Sequence, residues 1–454
     1  MKGFREMPRA PVLSGFLAAG LLIAGTIGTA AEDVNFTPQT CVRAPHDRLC
    51  PQFPDDQTDF SAVFEYRLIN TAAQDPFDHH AWQAFVALNW PLAADGTPAE
   101  ALTSEPDTPD TRRVWSGFAR RDDVFRPDRA AMCPDSADVV VHTSDLAQAD
   151  GTVLIDQSGN FVVYETRLNP VAEAYIRDNG LDTRAGQAAF DPQPVGFPLG
   201  RLGAQATPAS VLLKTSWRIM QAGGTGYLTV SGLIHVPADR SASATPLCLP
   251  VTLGMVGMHI VTRVASGNGD EWLWTTFEHR DNVPIAGSAR HVNSLFAHEL
   301  FPQGCTHPGD AGGRNWSFYS LARSDRPTNT PPDGGDWSWT DQPPYARIGG
   351  KPATPPQIVR CWDLMEGTRA VNAIWQARLA DTVLQNYMLV SSQWRGANTS
   401  PIFPHGELPR FLTNTTVETF AQIDPEGTCL GCHTAARTAT GADANFTFLL
   451  GAAE

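Results

Sequence analysis

The sequence predicts an α+β protein, with a largely antiparallel β body, a few packed helices and a C-terminal tail, rather than a compact all-α fold. Four segments between residues 210 and 279 are rich in β-branched and aromatic residues, and Gly, Pro, Ser or Asn separate them. Helical periodicity is confined to short stretches on either side of this region. The centre of the molecule is therefore expected to be a sheet.

The elements before this region are predicted from local patterns. Residues 77–90 carry apolar side chains at helical spacing and are followed by a proline, which predicts a short helix. Residues 153–168 have the sequence pattern of a β-hairpin, with the turn at residues 158–160. Residues 169–180 predict a second helix that begins at the capping residue Asn169.

The elements after the central strands are less regular. Residues 324–357 hold eight Pro and four Gly, which predicts an irregular loop on the surface of the body. After this loop the sequence predicts, in order, a helix, a strand and a helix, at 361–381, 383–394 and 414–422. The last helix would be capped by Asn414 or Thr415, with Glu418 placed to reciprocate.

The N-terminal segment has the order of a secretory signal peptide. In residues 1–30 three basic residues precede an apolar stretch that ends in small residues. Cleavage near Ala30 or Ala31 would leave an exported, periplasmic protein without stable membrane insertion. The alternative is a retained anchor, because the apolar stretch approaches the length of about 20 residues that spans a bilayer.

Two further parts are expected after the signal peptide. The β-rich body would occupy 31–360, including the loop at 324–357, and a helix-strand-helix segment would occupy 361–454. Removal of residues 1–30 takes away three positive charges and one negative charge, so the formal charge changes from −15 to −17. A chain this acidic has no general affinity for nucleic acid or anionic lipid.

The cysteine count also indicates export. Outside the last two cysteines an even number remains, which predicts up to three disulfides: Cys41, Cys50, Cys133, Cys248, Cys305 and Cys361. The simplest pair is Cys41 with Cys50, because the two bracket a short loop. The sequence leaves the pairing of the others open.

The last two cysteines belong to a Cys-x-x-Cys-His motif, Cys429-Leu-Gly-Cys432-His433. This spacing lets two thiols form thioethers to one haem while the adjacent imidazole binds the iron, and it is the attachment signal of haem c. Three alternatives remain: a thioredoxin-like pair, a short disulfide, and a zinc site completed by the Cys-Thr-His-Pro stretch at 305–308.

A second ligand to the iron would have to come from upstream, because neither Met nor His follows His433. The candidates are His259, His298, Met388 and one of the adjacent pair His79 and His80. We expect His259 to converge with Glu278 or His279 if their two strands form a hairpin, and to form a catalytic or distal site there. Lys214 and Arg263, charges within apolar strands, are expected partners of the haem propionates or of a substrate.

Several stretches together resemble a family of exported bacterial single-haem proteins, described only as cytochrome c family. They are "WQAFVALNWP", "YETRLNP", "GMHIVTRV", "EWLWTTFEHRDNVP", "NTTVETFAQ", "CLGCHTAA" and "NFTFLL". The resemblance extends over much of the chain and implies one covalent haem on Cys429, Cys432 and His433. It also implies a site formed by His259, Glu278 and His279, and a fold unlike a compact cytochrome c.

Two functions follow as hypotheses. The first is electron transfer through one haem c to an exported redox partner. The second is haem-dependent catalysis on a small molecule, such as a peroxide or a nitrogen or sulfur compound, with the side chains near the iron as general acid or base. A ligand-binding or sensory role is a third option. The size of the chain, far more than one haem needs, favours the second slightly.

Overall fold

A computed structural model describes fourteen segments of the chain, all within the unit from Thr37 to Glu454. They are residues 49–54, 74–103, 108–126, 133, 139–191, 193–201, 206–221, 225–266, 269–290, 304–332, 335–395, 407–408, 412–424 and 428–454. The predicted signal peptide, Cys41 and His298 lie outside these segments.

The described residues form an α+β fold, as predicted. Their helices are α1 Asp75–Leu88, α2 Arg121–Phe125, α3 Pro170–Asp178, α4 Arg184–Phe190, α5 Glu366–Arg378 and α6 Cys429–His433. None of these helices is long and apolar enough to cross a membrane.

Their strands range from two to twenty residues in length. In chain order they are β1 Ala119–Arg120, β2 Val141–Thr143, β3 Val163–Leu168, β4 Val211–Ile219, β5 Thr229–Val236, β6 Leu247–Ser266, β7 Gly269–His279, β8 Ile285–Arg290, β9 Trp337–Trp339, β10 Ala346–Ile348, β11 Lys351–Pro352, β12 Arg360–Trp362, β13 Tyr387–Arg395 and β14 Glu407–Leu408.

Nine of these strands make one sheet, in the order β1-β3-β4-β6-β7-β13-β14, with β5 paired to β6 and β2 paired to β5. All pairs are antiparallel except β2 with β5. The long strand β6 is the centre, because β4, β5 and β7 all pair with it. The segment 361–454 contributes β13 to this sheet and so belongs to the same compact unit as the body.

The sheet separates two cores. On one side Met258, Ile260 and Phe277 pack with Phe85 and other residues of α1. We call the opposite side the tail face. There Leu212, Val261, Trp272 and Trp274 pack with Leu430, Ala436 and Leu450 of the C-terminal tail. Because side chains alternate along a strand, each position of β4, β6 and β7 can be assigned to one of these sides.

The local structure of α1 explains its end. The helix stops at Leu88, where the side-chain amide of Asn89 donates to the carbonyl of Phe85 at 2.8 Å. Pro91 follows and has no N–H with which to continue the helix. The buried side of α1 includes Phe85, which stacks on Phe277 with ring centroids 4.2 Å apart. The helix therefore covers the sheet on the side away from the tail.

Two predicted elements differ from the structure. Residues 414–422 form turns, not a helix. The expected local contact is present, since the Asn414 N–H donates to Glu418 at 3.0 Å, but the Thr415 N–H donates to Glu278 of the sheet instead of continuing a helix. The Pro-rich stretch 324–357 is also more regular than predicted, because it holds the small sheet β9-β10-β11 and buries Trp339.

Two disulfides join distant parts of the chain. Cys133 pairs with Cys248, and Cys305 pairs with Cys361. Cys50 is also disulfide-bonded, whereas the predicted partner Cys41 lies outside the described segments. Cross-links of this kind persist in oxidising compartments, so these pairs are compatible with an exported protein.

Candidate functional site

The Cys-x-x-Cys-His motif forms the short helix α6, and contacts at its first turn hold it on the sheet. The hydroxyl of Thr428 accepts a hydrogen bond from the Gly431 N–H at 2.9 Å, which caps the helix. The Leu430 N–H donates to Oε1 of Gln393, a fully buried residue of β13, at 2.8 Å. Leu430 itself is buried in the core of the tail face. The motif is therefore docked against the sheet.

The two thiols of the motif are not joined to each other. Cys429 and Cys432 take part in no disulfide, although other cysteines of the described chain are oxidised. Residues three apart on a helix lie on the same side, one turn from each other. Cys432 is exposed, and burial raises the pKa of the Cys429 thiol well above its usual value. Both sulfurs thus lie on the side of α6 where one group could span a helical turn.

His433 is oriented by a backbone carbonyl. Its Nδ1 lies 2.7 Å from the carbonyl oxygen of Phe446, so Nδ1 carries the proton and donates it. This tautomer leaves Nε2 with a lone pair, and no described residue donates to that nitrogen. The ring lies between Trp274 and Phe448, with centroids 4.2 and 4.9 Å away. Burial lowers the pKa of His433 to about 4, so the imidazole is neutral at pH 7.

The turn that supplies this carbonyl has an unusual backbone. Asn445 and Phe446 both have positive φ, at 51° and 65°. Asn tolerates this conformation, but for a bulky residue such as Phe it costs on the order of 1–3 kcal/mol. The turn is held in place by the side chain of Asn445, whose Oδ1 accepts from the Trp272 indole N–H at 2.9 Å. The sheet therefore fixes the carbonyl that orients His433.

His259 and Lys214 lie on the same face as α6. They are direct neighbours across β6 and β4, and His259 pairs with Thr276 of β7. Nε2 of His259 lies 3.1 Å from Oε1 of Glu418, at ion-pair distance but without hydrogen-bond alignment. The strands β6 and β7 do form the predicted hairpin, and His259 is the predicted residue that it brings towards the motif.

Glu418 is the site residue that the sequence did not suggest. Burial opposes its ionisation, but His259, the Asn414 N–H and Lys214 outweigh this effect and lower its pKa. Its Oε2 accepts the Asn414 N–H, so both carboxylate oxygens have a neighbour. In the sequence Glu418 fits a capping position, and no local pattern shows that it meets His259.

Glu278 and His279 are placed apart from each other. Glu278 is fully buried and bonded to Arg360 and to the N–H and hydroxyl of Thr415. His279 points to the α1 side of the sheet, opposite to His259. There Nε2 lies 2.9 Å from the Gly226 carbonyl, and burial lowers the pKa to about 4. The structure thus brings neither residue into contact with His433.

The remaining candidates have other surroundings. Arg263 lies on the tail face, with Nη1 3.4 Å from the Asn445 side chain and its guanidinium over the Trp272 ring. Met388 lies opposite Glu278 in the sheet. The two histidines of α1 lie on a helix of the other side: His79 accepts from the Trp375 indole at 3.0 Å, and His80 is fully buried.

The alternative zinc site is not supported. Cys305 is oxidised with Cys361, which removes the thiolate that a zinc ion would need. The neighbouring His307 faces the Tyr319 hydroxyl at 3.1 Å and the Arg326 carbonyl at 2.7 Å. No group of three or more potential metal ligands occurs elsewhere in the described segments.

The donor set of α6 fits a haem. Two unbridged thiols and an imidazole with an available Nε2 are the groups that haem c attachment uses. The indole N–H of Trp274 is buried beside His433 and has no acceptor among the described residues, so it can donate to a bound group. No known protein family matches the sequence, and no curated protein or solved structure is significantly similar to it.

Proposed function

We propose that this chain is an exported c-type haem protein with a redox role, in which one haem is bound covalently by Cys429 and Cys432 and its iron by His433. The observation that carries the proposal is the bond from His433 Nδ1 to the Phe446 carbonyl. A metal-binding histidine usually donates its other N–H to a fixed acceptor, which sets the tautomer and increases ligand basicity. The positive φ of Phe446 supports the same interpretation, since strained backbone is concentrated at functional sites.

The chain's own residues have distinct tasks in this proposal. Cys429 and Cys432 would hold the haem through thioethers: each sulfur would bond to one carbon of a vinyl group and the thiol hydrogen would pass to the other carbon, without an oxidant. Trp274 and Phe448 hold the plane of the His433 ring. Lys214 and Arg263 lie on either side of Trp274 on the sheet, as cations for the haem propionates or for a bound substrate. A bound haem supplies one-electron oxidation and reduction.

Electron transfer to an exported redox partner is the function that we favour. The disulfides and the N-terminal sequence pattern support a periplasmic location after cleavage near Ala30 or Ala31. The formal charge of −17 after cleavage would steer a positively charged partner towards the protein.

Haem-dependent catalysis on a small molecule is the second candidate, and one observation favours it. Three ionisable side chains, Lys214, His259 and Glu418, lie together on the face that carries α6. A purely electron-transferring haem does not need such groups. A ferric absorption spectrum that changes when a small ligand is added would favour this candidate over simple transfer.

The decisive test is the intact mass of the native, exported protein. We expect the processed chain plus one haem, and a chromophore that survives denaturing electrophoresis. A Cys429→Ala/Cys432→Ala double variant should lose the covalent chromophore, whereas Ala435→Ser, an exposed change two residues beyond the motif, should keep it. A native mass equal to that of the bare processed polypeptide would show the proposal to be wrong.

A further inference from the structure

Glu418 holds His259 from a fixed position. Its Oε1 lies 3.1 Å from Nε2 of His259, while its Oε2 accepts the Asn414 N–H at 3.0 Å. Asn414 is itself anchored to the sheet, because its amide donates to the Thr276 hydroxyl and to the Phe277 carbonyl. The carboxylate is thus attached to the sheet through Asn414 and is not a freely moving surface group.

This pair lies close to the proposed iron ligand. His433 packs on Trp274, and Trp274 pairs with Val261 of β6. His259 is the next residue of β6 on the same face, about 7 Å along the strand from Val261. Glu418 raises the pKa of His433, whereas His259 and Lys214 lower it, in agreement with this placement on the sheet.

The orientation of His259 argues against a role as second iron ligand. Its Nε2, the ring nitrogen farthest from the backbone, faces Glu418. If Nε2 bound the iron, this contact would be lost and Oε1 of Glu418 would have no contact with the imidazole. The contact suits a different task, because a proton delivered to Nε2 of His259 would lie between the imidazole and the carboxylate of Glu418.

Lys214 brings a positive charge to the same place. Its ammonium lies 5.3 Å from the Tyr164 ring centroid and has no ion pair or hydrogen bond among the described residues. Burial lowers the pKa of Lys214, whereas Asp145 and Glu418 act in the opposite direction. The Tyr164 hydroxyl donates to the Thr416 carbonyl, and burial raises its pKa well above the usual value, so it adds no charge.

The charged and ionisable groups around His259 therefore come from four elements. They are Lys214 of β4, Tyr164 of β3, Glu418 of the turn segment, and Cys429 and His433 of α6, with Asp145 and Arg121 farther out. Among the described residues, the full charges directly beside the imidazole are the Lys214 ammonium and the Glu418 carboxylate, and the buried pair of Glu278 and Arg360 lies two positions farther along β7. An anion that entered here would meet one cation directly and a second once His259 is protonated.

Building on the haem site proposed above, we infer that His259 and Glu418 form an acid–base pair for a small weak acid that binds the iron as its anion, with Lys214 offsetting the charge of that anion. Hydrogen peroxide and hydrogen cyanide belong to this chemical class. The bond between hydrogen and the ligand would break and its proton would go to His259, so that the electron pair left on the anion would be available to the iron that His433 would hold. No oxidant or reductant is consumed in this step.

Cyanide binding to the haem-loaded ferric protein tests the inference. Hydrogen cyanide must lose its proton to bind, and a positioned base contributes on the order of a hundredfold or more to such a step. We expect His259→Gln to slow cyanide association about a hundredfold at pH 7, and Glu418→Gln about tenfold, as for other residues that orient a functional histidine. The ferric spectrum without ligand should stay the same, because neither residue binds the iron.

Azide separates the roles of the three residues. It is already an anion at pH 7, so its association should depend little on His259 but should slow down in Lys214→Met. The control is Glu173→Gln, which removes a carboxylate from the exposed pair with Arg177 on α3 and should change neither rate. Stopped-flow absorbance across the pH range measures all rates, and the pH profile for cyanide should shift only in the His259 and Glu418 variants.

Three results would contradict us, and they can be told apart. A native mass without haem overturns the proposed function and this inference with it. A haem-loaded His259→Gln protein with an unaltered cyanide rate overturns the inference alone. A changed spin state of that variant before any ligand is added means that His259 binds the iron, which also overturns the inference and leaves the haem.

Discussion

Glu278 is a buried carboxylate that connects the sheet to two later segments of the chain. It lies on β7, fully buried, and its partners are Arg360 on β12 and both the N–H and the hydroxyl of Thr415. Its acceptor sites are therefore used by the protein itself. These contacts describe a side chain that joins the sheet to two later parts of the chain.

We predict that Glu278→Gln lowers the free energy of unfolding by about 3–5 kcal/mol, because it leaves the buried guanidinium of Arg360 without a counter-charge. Urea denaturation at pH 7 measures the effect. The matched control is Glu173→Gln, whose exposed i,i+4 pair with Arg177 is expected to contribute about 0.5 kcal/mol or less. Equal losses in the two variants would contradict the structural role.

The candidate site was only partly predictable from the sequence. The motif at Cys429, Cys432 and His433 is local, so its spacing alone reveals the donor set. The sequence left open whether Glu278 or His279 converges with His259, because adjacent residues of β7 lie on opposite sides of the sheet and the side that faces the motif depends on packing. Glu418 was missed because its partner His259 lies about 160 residues away in the sequence.

At the level of elements, the C-terminal tail is attached to α4 by one buried side chain. The Gln187 amide donates to the carbonyls of Leu181 and Leu450, at 2.7 and 2.8 Å. Its Oε1 accepts the Ala439 N–H at 2.8 Å. The residues that follow the motif are therefore an integral layer on the sheet.

Gln187→Ala should loosen this attachment. The substitution leaves the Leu181 carbonyl without its partner, and it removes one bond each from the Leu450 carbonyl and the Ala439 N–H, which still bond to each other. An unpaired buried group of this kind costs about 1–3 kcal/mol when water does not replace the bond. We expect a clear fall in urea stability and faster cleavage of the tail in limited proteolysis, whereas Ala188→Ser, at the exposed neighbour, should behave as the unaltered protein. Identical cleavage rates would mean that other contacts hold the tail.

Elements with strong internal patterns were predicted best. The β strands between 211 and 279 were predicted from their β-branched and aromatic residues, and α3 begins directly after the predicted cap Asn169, whose side chain accepts the Ala172 N–H at 3.0 Å. The helix expected at 414–422 was wrong: the segment forms separate turns, and the side chains of Asn414 and Thr415 bond it to the sheet. Such long-range competition leaves no trace in a local window.

Considered as a whole, the molecule buries histidines that stay neutral. Burial lowers the pKa of His80 to about 3 and that of His279 to about 4, and neither ring nitrogen of His80 has a hydrogen-bond partner. Between about pH 6.5 and these values the unfolded chain binds protons that the folded protein does not. Stability is therefore lost as the pH falls through this interval.

His80→Leu should reduce this pH dependence. Each such imidazole contributes a slope of up to about 1.4 kcal/mol per pH unit, so the variant should lose less stability than the unaltered protein between pH 6 and 4. Urea denaturation at both pH values measures the difference, with Ala188→Leu as the control for an added leucine at an exposed position. Parallel curves for both proteins would show that His80 already takes up its proton in the folded state.

The pairing of β13 with β7 has a kinetic consequence. These neighbours in the sheet are separated by more than a hundred residues of chain, as the register of Tyr387 with His279 shows. Gln393 of β13, which accepts the Leu430 N–H of α6, takes its place in the sheet only after this long loop has closed. The entropy cost of closing a loop of that length comes before the native contacts form. Domains rich in such long-range contacts fold on the millisecond-to-second scale or more slowly. The β6–β7 hairpin, by contrast, is local and can form early. Refolding should therefore be sequential, and the part of β13 that binds α6 should join the sheet late.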